Sequence, residues 1–227
     1  MREKLIVALD VDNLKKAKVL VDKLYPFIKI FKVGSELFTA CGPQAIEMLH
    51  KKKAKVFLDL KFHDIPNTVA SAVKMARGMG VFMLNVHALG GKQMLKASVS
   101  AKGKGKSPIL LAVTVLTSMD TGELRRTGIK KSPLAQVKAL AFLARSTGVD
   151  GVVCSAKEIK TIRKACGKNF IIVTPGIRPA GSKSQDQKRV VTPERAISDG
   201  ADYLVVGRPI TEARDPLAAA KAIISKI

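Results

Sequence analysis

Within "VFLDLKFHDIPNTV", Val56 to Val69, an otherwise apolar stretch carries Asp59, Lys61 and Asp64. Unpaired charge in an apolar setting is expensive, so these residues need partners and imply a chemical use. An ammonium held between carboxylates can donate a proton and steady a developing negative charge, while the carboxylates keep it charged and aimed. Lys32, in "FIKIFKVG", adds a second cation, and Lys32, Asp59, Lys61 and Asp64 read as an array of alternating sign. A second group reads as an anion site. "VVGRPIT" sets Gly207 and Arg208 at a strand-to-helix turn, where free backbone N–H groups and a forked guanidinium suit phosphate. "TPGIRPAGSKSQDQKRV" is long, polar and rich in Gly and Pro, and its Arg178 and Gln187 read as part of a mobile phosphate-binding lid over 176–190.

Such residues need a scaffold that brings them to one place. Apolar, β-branched runs recur at 5–10, 27–34, 56–61, 81–88, 109–117, 151–155, 170–176 and 203–208, with segments of helical period between them, among them 13–24, 66–78, 134–146 and 156–166. Asp12 and Thr192 read as helix starts, the latter followed by Pro193 at the first helical position. Near-continuous apolar strands alternating with helices imply a parallel sheet covered on both faces, and eight repeats in this length close a (β/α)8 TIM barrel, a single α/β domain over 1–227. A doubly wound sheet fits less well, because "LDVDN" stands where a Gly-x-Gly-x-x-Gly turn would follow the first strand.

Barrel active sites form at the carboxyl ends of the strands. Asp10, Lys32, Asp59 with Lys61, His87, Thr117 with Ser118, Ser155, Pro175 with Arg178, and Gly207 with Arg208 all fall at such ends. Strand alternation puts Asp59, Lys61 and His63 on one face and Leu58, Leu60 and Phe62 on the other, with same-face Cα atoms about 6.6 Å apart, so Asp59 and Lys61 are expected to touch.

Composition narrows the class. The 227 residues are 47% hydrophobic with 17 Gly and 10 Pro scattered along the chain, a globular profile. Cys41, Cys154 and Cys166 are odd in number and lack metal-type spacing, so they read as reduced core thiols of a cytoplasmic protein. The amino terminus lacks a signal-peptide pattern, and no segment approaches a membrane span. The formal charge of +22 would suit nucleic acid if it were clustered, but the lysines are dispersed and only two Tyr and no Trp accompany them. They read as a solvated basic face that helps attract an anionic substrate, with no specific nucleic acid and no membrane as partner.

"LDLKFHDIPNTV", with its Asp-x-Lys-x-x-Asp spacing, resembles the signature of the orotidine 5'-monophosphate decarboxylase family. "VALDVDN", "FKVG", "VHALGG", "VLTSMD", "TPGIRP", "DQKR" and "VVGRPIT" follow in that family's order over essentially the whole chain. The resemblance implies that Asp10 and Lys32 bind the ribose, Asp59 sits against the substrate carboxylate, and Lys61 donates the proton. It implies a homodimer in which Asp64 and Thr68 reach the neighbouring subunit's site. Thr117 and Ser118 would contact the pyrimidine, Pro175 would line the site, and Arg178, Gln187, Gly207 and Arg208 would hold the phosphate. His63 and His87 fit the pattern without a chemical step. No cofactor and no metal are expected, since neither a thiamine or pyridoxal-phosphate signature nor a metal-type cluster stands out, and preorganised charge must do the chemistry. Two other readings stay open: a related barrel that acts on a sugar phosphate with magnesium, and a basic nucleic-acid-binding module.

Overall fold

Eight short aliphatic segments form the strands: β1 Leu5–Ala8, β2 Ile30–Gly34, β3 Lys55–Phe62, β4 Met83–His87, β5 Ile109–Val113, β6 Gly151–Val153, β7 Ile171–Thr174 and β8 Tyr203–Val206. In this computed structural model, which describes residues 2–105, 107–178 and 191–227, the strands pair in parallel and in chain order, and β8 returns to β1. The chain is therefore the expected (β/α)8 barrel. Most strands are shorter than their apolar runs. Leu9 and Val115 lie beyond the last residues of β1 and β5 yet stay buried, because burial of a side chain does not require its backbone to pair.

Alternation sorts the side chains into two cores. Leu5, Val7, Phe31, Val33, Val56 and Leu58 point outward against the helices, whereas Ile6, Ala8, Ile30, Phe57, Met83, Ile109, Leu111, Val173 and Val205 fill the barrel. Continuing the inward parity by one step toward the carboxyl ends reaches Asp10, Lys32, Asp59 and Asn85. The barrel is thus apolar below and charged at its mouth.

The helices follow their periodicity. Leu14–Leu24 buries Ala17, Val21 and Leu24, and Pro66–Gly78 buries Val69, Val73 and Ala76. Pro133–Ser146 spans the third expected segment, and the fourth divides into a short 3-10 turn, Ala156–Glu158, and the helix Ile159–Cys166. Thr192 caps its helix with Pro193 first inside, as expected. The start at Asp12 needs correction. Asn13 is the cap, its side chain accepting the Lys16 N–H, while the Asp12 carboxylate is taken up by the Asn13 amide and the Lys16 ammonium.

Two acids at the opposite end of the barrel are structural. Asp150 accepts the Leu110 N–H at 2.7 Å and pairs with buried Lys102, and Asp202 accepts the Ile172 N–H at 2.8 Å and pairs with Arg163. Each stands just before a strand and ties it to the strand preceding it.

Candidate active site

At the mouth of the barrel four ionised side chains form a zigzag. The Lys32 ammonium lies 2.8 Å from Asp10 Oδ1 and 3.3 Å from Asp59 Oδ2, and Lys61 Nζ lies 2.7 Å from Asp59 Oδ1. Lys32 and Asp59 are buried, at 8% and 9% exposure. Burial opposes the charge on Lys32, but Asp59 and Asp10 together outweigh it and hold the ammonium above the ordinary lysine range. Gly34 makes the arrangement possible, since a Cβ there would stand 2.7 Å from Lys32 Nζ and 3.1 Å from Asp10 Oδ1.

The expected contact between Asp59 and Lys61 is present, though simple alternation does not produce it. The β3–β4 register runs from Leu58 opposite Leu84 to Phe62 opposite Val86, so three residues of β3 face one of β4. Inside that bulge Lys61 has φ of 51°, left-handed backbone that a side chain rarely adopts. The bulge turns Lys61 back toward Asp59. His63, past the strand end, stacks on His87 with ring centroids 5.2 Å apart.

Sequence reasoning missed Asn85, which is 1% exposed and bonded to both Asp59 and the Lys61 backbone. The available signal was one amide at an inward position of the otherwise apolar "VFMLNVHA".

Two connected hollows meet at the zigzag. An apolar one of about 280 Å³ is lined by Phe57, Val113, Val115, Val153 and Cys154, with Thr117, Ser118 and Pro175 at its edge. A polar one of about 670 Å³ is lined by Asp10, Ser35, Glu36, Arg178, Gly207, Arg208 and Glu212. Lys32, Asp59, Lys61, Pro175 and Val205 border both. The structure therefore brings together Asp10, Lys32, Asp59, Lys61, Thr117, Ser118, Pro175, Arg178, Gly207 and Arg208. Such a site suits a flat ring in one lobe and a sugar phosphate in the other.

Three expectations fare differently. Asp64 is exposed and bonds the adjacent Ile65 N–H, so within one chain it stands outside the array, where Asp10 is the second acid. The chain has left β3 by residue 64, and strand alternation no longer aims its side chains. Thr68 is likewise exposed, away from the two hollows. Gln187 lies outside the described residues, as does most of the expected lid over 176–190. At the base of that segment the Arg178 N–H donates to the Val191 carbonyl at 3.2 Å.

His87 has no chemical role in this geometry but carries a pH effect. Burial, with His63 and the Lys61 ammonium nearby, lowers its imidazole to about 4. In an unfolded chain a histidine titrates near about 6.5. Between these values the unfolded state binds a proton that the folded state refuses, so stability falls as pH drops from about 6.5 to 4. The loss is expected to be on the order of 1–2 kcal/mol after allowance for solvent screening. Thermal melts between pH 7 and 4.5 are expected to show a flatter decline for His87→Gln than for the wild type. Parallel declines would count against this assignment.

Residues 3–223 match the sequence model described as orotidine 5'-phosphate decarboxylase / HUMPS family. The chain belongs to that family. Among its members, orotidine 5'-phosphate decarboxylase of Moorella thermoacetica is 53% identical over 100% of this chain and 92% of that protein. The orotidine 5'-phosphate decarboxylase of Legionella pneumophila strain Paris is 55% identical over 99% of each chain. The crystal structure of orotidine 5'-phosphate decarboxylase from Lactobacillus acidophilus superposes with a TM-score of 0.86 at 41% identity, covering 99% of this chain and 98% of that one. Among the described residues, no helix is long and apolar enough to cross a membrane.

Proposed function

We propose that the protein decarboxylates orotidine 5'-monophosphate to uridine 5'-monophosphate, the last step of de novo pyrimidine nucleotide synthesis. The observation that carries this reading is the Asp10–Lys32–Asp59–Lys61 zigzag at the junction of a ring-sized apolar lobe and a polar lobe that holds Arg178 and Arg208. The full-length relatives named for this activity support it.

In this mechanism Thr117 and Ser118 meet the pyrimidine edge, Asp10 and Lys32 hold the ribose, and Arg178, Gln187, Gly207 and Arg208 hold the phosphate. Asp59 faces the substrate carboxylate and disfavours its charge. The bond from C6 to the carboxylate breaks, carbon dioxide leaves, and the electron pair stays at C6. Lys61 stabilises that charge and delivers its proton to C6, forming the C–H bond and leaving a neutral amine that solvent reprotonates. Phosphate binding far from C6 supplies energy for ordering and desolvating the site. Neither cofactor nor metal enters this chemistry. In a homodimer the exposed Asp64 and Thr68 would extend into the partner's site, and a nucleotide-synthesis role fits a cytoplasmic protein with free thiols at Cys41, Cys154 and Cys166.

A magnesium-dependent sugar-phosphate reaction is the second reading, supported by Glu36 in the polar lobe. Against it, Lys32 sits where a divalent cation would share Asp10 and Asp59. Loss of pyrimidine absorbance with orotidine 5'-monophosphate is expected at an undiminished rate in EDTA, from protein that sediments as a dimer. Inactivity with that substrate, or activity abolished by EDTA and restored by magnesium, would overturn the proposal.

A further inference from the structure

Beyond the residues assigned so far, we infer that Asn85 is a positioning residue that locks Lys61 onto Asp59 for proton delivery, an inference that rests on the decarboxylase reading. Asn85 is the single β4 residue facing the three bulged residues of β3, between the Leu58–Leu84 and Phe62–Val86 pairs. A bulge of this kind strips ladder partners from the backbone, and a buried N–H left without one is costly. The Asn85 side chain fills the gap, its Oδ1 accepting the Lys61 N–H at 2.8 Å. Its Nδ2 donates to Asp59 Oδ1 at 2.6 Å, the same oxygen that Lys61 Nζ approaches at 2.7 Å.

One amide therefore grips Lys61 at its backbone and Asp59 at its carboxylate. The orientation is dictated, because a flipped amide would set its oxygen against the carboxylate and its NH₂ against the Lys61 N–H. The grip also explains how Lys61 keeps φ of 51°: the Asn85 acceptor holds a backbone conformation that lysine alone disfavours. The Lys61 backbone and the Asp59 oxygen that its ammonium meets are thus held by the same amide. Aspartate in place of Asn85 would keep an acceptor for the N–H but press a second carboxylate on Asp59. Leucine would keep the volume and lose both bonds.

A double-mutant cycle tests this. Asn85→Leu is expected to lower kcat by about 100-fold, the scale of losing one preorganised contact, while KM and the affinity for uridine 5'-monophosphate change by less than about threefold. Asn85→Asp should also fail to restore the rate. In a Lys61→Ala background, Asn85→Leu should cost less than about threefold further, because its effect passes through Lys61. Full additivity of the two losses, or a wild-type kcat in Asn85→Leu, would overturn the inference. If Asn85→Leu does not fold, Asn85→Ala, which removes both bonds without adding bulk, runs the same cycle. Wild-type turnover measured in the same plates separates failure of the inference from failure of the decarboxylase reading, since an inactive wild type overturns the latter.

Discussion

Replacing Lys61 by alanine is expected to lower kcat for orotidine 5'-monophosphate by at least about 10⁴-fold, roughly 5.5 kcal/mol of barrier, because in the proposed mechanism one side chain supplies both charge stabilisation and the proton. Folding should survive. The Lys61 side chain is 38% exposed, and Asp59 keeps Lys32 and Asn85 as partners after the ammonium is gone. The residues proposed to hold the phosphate are untouched, so uridine 5'-monophosphate should bind with nearly unchanged affinity. Single-turnover absorbance assays, with a thermal melt on the same sample, give the answer. A folded Lys61→Ala variant that retains more than a hundredth of the wild-type kcat would remove Lys61 from the proton-transfer step.

The second large effect is expected at Asp59, with an unusual split between parameters. Asp59→Asn preserves shape but changes the zigzag from two acids and two ammoniums to one acid and two ammoniums. An anionic substrate then meets less repulsion, while Lys61 loses the carboxylate that aims it. The expected result is a fall in kcat of about 10³-fold with an equal or lower KM, the pattern of relieved ground-state stress together with lost transition-state stabilisation. Stability should fall by on the order of 1–3 kcal/mol, since buried Lys32 loses one of its two counter-charges. Titration with uridine 5'-monophosphate checks the binding half, and weaker binding in step with the rate loss would show that Asp59 serves only to hold the site together.

Particular residues show what could be read before the fold was known. The Asp59–Lys61 contact was foreseen from alternation within one strand, but the geometry that makes it comes from the bulge against β4. Gly207 and Arg208 were legible as residues of the barrel mouth because they stand at the turn that follows the last strand, and both line the polar hollow. Asp64 was read into the array from its closeness in sequence to Lys61, but within one chain the backbone has left β3 and turned toward the helix Pro66–Gly78 before reaching it. The left-handed Lys61 had no local signal: lysine is not a residue that announces positive φ, and the bulge exists only against β4.

By itself, the sequence determined the eight-fold alternation of strand and helix, the inward parity of the strand residues, and hence which end of the barrel is polar. Those properties depend on hydrophobic period, a local quantity. Only the tertiary structure decided which polar groups meet there. Lys32 finds Asp10 across 22 residues of chain, and Asp59 finds Asn85 across 26. Such pairings are set by the register between neighbouring strands of a closed barrel, and a shift of one residue would turn each side chain to the opposite face.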